Sequence, residues 1–187
     1  EGKKDQKPAC SNGKALVLAV KLYEATSDVY YLENAKRFYS WIWKWLRDSE
    51  RNIIMNSWLT ADGGRAQFDP YTYNSGTMIQ AGAALYRFTG EQKYLDEALM
   101  LCDGTAKFFF HYTDDGIPFT YNIPWFDVVL FRGYQDVWAI TGDTQYVDIL
   151  IKALDHAWEH ARDPHGLVCN DWTGRRNQMQ KPKWLLD

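Results

Sequence analysis

The sequence predicts an all-α fold built from helical hairpins, and three observations predict it. Apolar residues recur at three- and four-residue steps over long stretches, as on the buried face of a helix. A short motif occurs three times: Thr26-Ser27-Asp28 before Tyr31-Leu32, Thr89-Gly90-Glu91 before Tyr94-Leu95, and Thr141-Gly142-Asp143 before Tyr146-Val147. The three threonines lie 63 and 52 residues apart, a spacing that marks stacked supersecondary units. Long loops alternate with these short turns.

Taken in order, residues 1–13 are polar, with Pro8 as punctuation and Ser11-Asn12 as capping residues. From Lys14, the spacing of Ala15, Leu16, Ala19, Val20, Leu22 and Tyr23 predicts a first helix. Thr26-Ser27-Asp28 ends it and caps a second, marked by Leu32, Ala35, Phe38, Tyr39, Ile42 and Leu46. Trp41, Trp43 and Trp45 point different ways around that helix, which predicts cover on more than one side. The first hairpin thus runs from about Lys14 to Arg47. A long loop follows, with Ile53-Ile54-Met55 as a short strand and Asp62-Gly63-Gly64 as a turn. The second hairpin opens at Tyr73-Asn74-Ser75-Gly76, reverses at Thr89-Gly90-Glu91 and reaches about His111. A loop with Asp114-Asp115-Gly116 leads to the third hairpin, from near Trp125 to about Ala161. The remainder reads as loop, with Trp184-Leu185-Leu186 as the start of another helix.

In each turn the acid suits the positive end of the following helix, and the Tyr-Leu or Tyr-Val pair packs back on the preceding one. Tetratricopeptide-type solenoids have periods near 34 residues and short loops throughout, unlike this chain. Hairpins of this length with long loops on one face suit a closed (α/α)6 toroid, of which three hairpins make about half. The reading is therefore one partial domain over residues 1–187, cut at both ends. The long-loop face is the functional one.

At 187 residues the chain is long enough for one sizeable core. Nine Trp, twelve Tyr and nine Phe are many; they read mainly as core, the rest as sugar-facing surface. A net charge of −3 gives no reason to expect nucleic acid. No apolar run is long enough to span a bilayer, and the first seven residues lack the apolar core of a signal peptide. Cys10, Cys102 and Cys169 have neither disulfide-framework nor zinc spacing, and Cys102 reads as a small buried hydrophobe. His156 and His160 share a helix face without a third ligand, so no metal and no cofactor is expected.

The candidate functional residues are the polar groups where the first helix of each hairpin opens. Asn12, Asn74 and Ser75 read equally well as helix caps. Asp62 is a turn residue whose carboxylate is also suited to a sugar hydroxyl. Trp125-Phe126-Asp127 opens the third hairpin, and Arg132 sits a turn into an apolar helix, where a charge calls for a partner. Asp114-Asp115 is the one Asp-Asp pair and lies outside that set, and its sequence reads as an exposed turn.

At these residues the chain resembles glycoside hydrolase family 76, the endo-α-1,6-mannanases and their relatives. The matching pieces are Ala9-Cys10-Ser11-Asn12, Thr72-Tyr73-Asn74-Ser75-Gly76, Leu130-Phe131-Arg132-Gly133, Asp171-Trp172-Thr173-Gly174 and Trp184-Leu185-Leu186, in the family's order. The resemblance implies an (α/α)6 toroid that hydrolyses α-1,6-mannan with retention, acting outside the cell, in the periplasm or at the cell surface. It implies mannan or manno-oligosaccharide as partner and sets no oligomeric state. The family's consecutive catalytic aspartates lie upstream of the Ser-Asn segment, so no catalytic residue falls in this chain and Asp114-Asp115 does not match them. Asn12, Asp62, Tyr73, Asn74 and Arg132 would instead hold mannose units. Three other readings stand beside it: a mannan transglycosylase, another toroid enzyme such as a sugar epimerase or unsaturated glucuronyl hydrolase, and a helical-repeat binding scaffold.

Overall fold

The computed structural model describes residues 5–60 and 64–175. Asp62 and the Trp184-Leu185-Leu186 segment lie outside the described residues. Three antiparallel hairpins are formed by α1 (Ala9–Thr26) with α2 (Val29–Leu46), α3 (Thr72–Thr89) with α4 (Gln92–Phe109), and α5 (Pro124–Thr141) with α6 (Gln145–His160).

One threonine device builds all three reversals. The hydroxyls of Thr26, Thr89 and Thr141 donate to the carbonyls of Leu22, Leu85 and Val137, at 2.7, 2.8 and 3.0 Å. The same hydroxyls accept from the backbone N–H of Asp28, Glu91 and Asp143, two residues on, at 3.2, 3.1 and 3.2 Å. Between them Ser27, Gly90 and Gly142 take the left-handed conformation, with φ of 56°, 70° and 75°. Each donates its N–H back to the helix, to Tyr23, Tyr86 and Trp138, at 2.8 Å. Glycine enters that region without a Cβ penalty, so Ser27 carries strain that the other two turns avoid. Asp28 then caps α2, its carboxylate accepting from Tyr30 N–H at 2.9 Å. Tyr94, Leu95, Tyr146 and Val147 are buried as expected, whereas Tyr31 and Leu32 are half-buried.

The helices form two layers. α3 packs against both α1 and α5, while α2 and α4 pack chiefly on their own hairpin partners, giving an inner row α1-α3-α5 with the others outside it. This is about half of an (α/α)6 toroid. Glycines let the inner helices meet. A Cβ on Gly76 would lie 2.6 Å from the Val129 carbonyl, and one on Gly133 2.9 Å from Ile79 Cβ. Gln80 fastens the same contact, donating to Val129 O at 3.0 Å. The core runs between the layers through Leu16, Tyr39, Ile42, Met78, Leu85, Leu101, Leu130 and Tyr134, all nearly inaccessible. Cys102 lies in it as a small hydrophobe. Trp43 stacks on Tyr39 and Trp45 meets Trp58, so α2 is covered on two sides.

Among the described residues seven short strands fill the connections: β1 (Gln6–Pro8), β2 (Arg47–Asp48), β3 (Ile53–Ile54), β4 (Ser57–Leu59), β5 (Arg65–Gln67), β6 (His111–Tyr112) and β7 (Pro118–Phe119). β3 is the expected strand, paired with β2. β1, β4 and β5 make an antiparallel sheet in that order. This sheet moves the start of α1 five residues ahead of the expected Lys14. Ala9 N–H donates to Asn56 O at 2.7 Å, so a partner beyond the helix replaces the side-chain cap. Asn12, Asn74 and Ser75 consequently lie inside helices and cap nothing. Asn12 donates instead to Pro8 O at 2.8 Å, and Ser75 Oγ accepts from Ile54 N–H at 3.0 Å.

A concave groove on the inner helices as candidate site

An α-helix repeats every 3.6 residues, so positions three and four apart share a face. Cys10, Lys14 and Val17 on α1, Tyr73, Thr77 and Gln80 on α3, and Phe126, Val129 and Arg132 on α5 follow that step and line one groove. With Trp125 it encloses about 360 Å³. Its aromatic end is held rigidly. Tyr73 meets Phe126 edge-on at 4.6 Å, Tyr71 stacks on Tyr73 at 5.5 Å, and Trp125 meets Phe126 at 4.5 Å. Tyr71 is fixed in turn by donating to Asp69 at 3.0 Å. Burial pushes the Tyr73 phenol up to about 12, so its hydroxyl stays protonated and can donate a hydrogen bond.

The charges of the groove are all of one sign. Lys14 and Arg132 are exposed to it, and neither has an ion-pair partner among the described residues. No carboxylate lines it. The partner expected for Arg132 inside its own helix is thus missing, because the side chain points out of the core. A guanidinium and an ammonium beside aromatic faces suit a polyhydroxylated or anionic ligand.

The structure brings Tyr73 and Arg132 together and sends the two asparagines elsewhere. Asn12 stands two residues from Cys10, on the opposite side of α1, and lines a groove between α1 and α2 with Glu33, Arg37 and Trp41. Asn74 turns into the interior, 1% exposed, with neither amide atom hydrogen-bonded among the described residues. Asp114 and Asp115 sit exposed in the β6–β7 turn, closed by Gly116 N–H to Thr113 O at 2.8 Å. The rings of His156 and His160 meet at 4.5 Å, tilted by 41°, and no group of three metal-binding side chains occurs among the described residues. Lys14 and Gln80 were not singled out in the sequence. Extending the helical step backward to Cys10 would have found Lys14, and the same step from Tyr73 finds Gln80.

Asp127, at the opening of α5, is the most perturbed carboxyl of this end. It is 4% exposed and accepts from Thr120 Oγ1 at 2.6 Å through Oδ2, while Oδ1 has no hydrogen-bond partner among the described residues. Burial raises it to about 6 against the opposing pull of the Thr120 and Thr72 hydroxyls.

Comparison with known proteins bears on this groove. The chain is 28% identical over 112 residues to the mannan endo-1,6-alpha-mannosidase DCW1 of Candida albicans, covering 56% of this chain and 24% of that protein. A family 76 mannosidase of Bacteroides thetaiotaomicron, Bt3792, superposes with a TM-score of 0.82 at 28% identity, over 91% of this chain and 49% of its own. An α-1,6-mannanase of Salegentibacter sp. HEL1_6, solved as an inactive double-aspartate variant with α-1,6-mannotetrose, superposes with a TM-score of 0.75 at 28% identity, over 90% of this chain and 52% of its own. The chain therefore spans about half the length of these solved relatives and a quarter of the fungal one. Residues 1–123 match the model of glycosyl hydrolase family 76, and the chain belongs to that family.

Proposed function

We propose that this chain is the C-terminal part of the catalytic domain of a retaining glycoside hydrolase acting on α-1,6-mannan, and that it supplies a wall of the substrate cleft. The observation that carries the reading is the concave groove, which pairs aromatic faces with hydrogen-bonding groups and holds no carboxylate among its lining residues. Sugars offer apolar ring faces and hydroxyls at once. Trp125 and Tyr73 suit the faces, and Arg132, Lys14 and Gln80 suit the hydroxyls. Retention needs two carboxyl groups about 5 Å apart, one ionised and one able to give a proton. The groove offers neither, so the catalytic pair belongs to the part of the domain that precedes Glu1, as the family resemblance implies.

In this reading Tyr73 and Arg132 contact mannose units directly. Asn74 acts from beneath them, through the α3 segment that carries Tyr73, and Asn12 and Asp62 are the further mannose-binding residues that the family resemblance implies. The substrate class places the protein outside the cell, in the periplasm or at the cell surface. No helix among the described residues is long and apolar enough to cross a membrane.

The test is turnover. The full-length protein should release oligosaccharides from α-1,6-mannan, with the anomeric configuration kept in the first-formed product, and residues 1–187 alone should release none. Hydrolysis by the isolated 187 residues would overturn the placement of the catalytic pair. New glycosidic linkages in place of reducing ends would assign a transglycosylase of the same fold.

A further inference from the structure

A second groove opens at the start of α5. It encloses about 350 Å³ and is lined by Thr120, Tyr121, Asn122, Ile123, Asn170 and Asp171, with Thr173 and Arg175 beside them. Resting on the mannan reading above, we propose that this groove is a further saccharide subsite, which takes mannose units of the same chain beyond those held on the concave face.

Position is the first support. Asn122 and Ile123 immediately precede α5, whereas Trp125 and Phe126 begin it and face the concave groove. The Cα atoms of Asn122 and Trp125 lie at most about 11 Å apart, a span that a few linked hexoses cross. Ile123 and Trp125 are both exposed, so the ridge between the grooves is apolar and suits the ring face of a passing sugar.

Chemistry is the second. Two amides, a carboxylate and a guanidinium line a space with an aromatic ring at its edge, the mixture that reads hydroxyls by donation and acceptance together. Tyr121 is 79% exposed, yet its ring is held in place by His111 at 4.7 Å and Phe119 at 5.5 Å. A large aromatic surface kept rigid in water costs little ordering when a ligand arrives. Asp171 is ordered as well, its Oδ1 accepting from Thr173 N–H at 3.0 Å and Thr173 Oγ1 at 2.6 Å.

The third support lies beneath the floor. Phe119, Thr120, Asn122 and Asn170 also bound a cavity of about 10 Å³ lined by Asp127 and Trp172. Asp127 Oδ1 and Trp172 Nε1 are buried there without hydrogen-bond partners among the described residues. An acceptor and a donor lining one small cavity match the two-way character of a hydroxyl. The space admits one such group or one water, not a ring. Asp127 thereby positions Thr120, which belongs to both the cavity and the outer groove.

The subsite makes long chains better substrates than short ones. The full-length protein and its Tyr121→Ala and Arg175→Ala variants should be assayed on α-1,6-mannotetraose and on unbranched α-1,6-mannan. Both residues are exposed, and matching thermal melts would establish that the variants fold. The expected result is a ratio of kcat/KM, long over short, that falls about tenfold in each variant, the effect of losing one or two good contacts. A ratio within twofold of wild type in both variants overturns the subsite while leaving the mannanase reading intact. A wild-type protein that neither binds nor cleaves α-1,6-mannan overturns both.

Discussion

Replacing Asp127 by Asn should change how the stability of the protein depends on pH. The carboxyl is buried at the opening of α5, held up to about 6 against an ordinary value of 3.8. Below about pH 4 it is protonated whether the chain is folded or not, and burial costs nothing extra. As pH rises from about 4 to 6, the unfolded chain gives up the proton first, so the unfolded state gains relative to the folded one. Above 6 the penalty is complete. At 1.36 kcal/mol for each pH unit between those two values, it amounts to about 3 kcal/mol. Asn has no charge to desolvate, and its carbonyl can still accept from Thr120. Its amide N–H groups would lack partners, which costs about 1–3 kcal/mol at every pH. The net gain at neutral pH is therefore small, but the pH slope is not. Thermal melts of both proteins at pH 4.5 and 7.5 should show the variant improving relative to wild type on the order of 5 °C between the two conditions. Equal differences at both pH values would show that Asp127 is not desolvated as described.

Three further outcomes follow from the packing and the groove. Gly76→Ala puts a methyl group against backbone of α5, which cannot withdraw as a side-chain tip would. It should cost about 1–3 kcal/mol, read as a lower denaturant midpoint. Tyr73→Phe keeps the ring stack on Tyr71 and Phe126 but removes the hydroxyl. It should lower kcat/KM of the full-length protein on α-1,6-mannan about three- to tenfold with little loss of stability. Changing Asp114 and Asp115 together to Asn in the full-length protein should leave most activity, since both sit exposed in a turn. A loss of several orders of magnitude would place the catalytic pair there.

The hairpins were legible because their turns are local. Thr26, Thr89 and Thr141 each bond within four residues on either side, so the motif carries its own geometry wherever it occurs. The start of α1 was not legible for the opposite reason. Its first N–H is satisfied by Asn56, just ahead of β4 and far along the chain, and nothing near Ala9 announces that partner. Ser11 and Asn12 have good capping chemistry but stand inside a helix that the sheet has already begun. The site divides in the same way. Tyr73 and Arg132 open onto the concave groove because they fall on the helical step shared by Cys10, Thr77 and Val129. Asn12 and Asn74, each one or two residues off that step, turn away. Residue type and helix end are enough to single out these candidates. Only the phase of each helix, set by the glycine contacts between α3 and α5, decides which of them reach the groove.

The central claim is that the concave face of the inner helices holds α-1,6-mannan, and Arg132 tests it most directly. Arg132 is exposed and makes no ion pair among the described residues, so its loss should spare the fold. Affinity of the full-length protein for α-1,6-mannotetraose should be measured by calorimetry before and after Arg132→Ala. The account predicts a rise in Kd of about tenfold or more, as for a lost charge-assisted hydrogen bond, with the melting temperature within a degree or two of wild type. Unchanged affinity in a folded variant would contradict it.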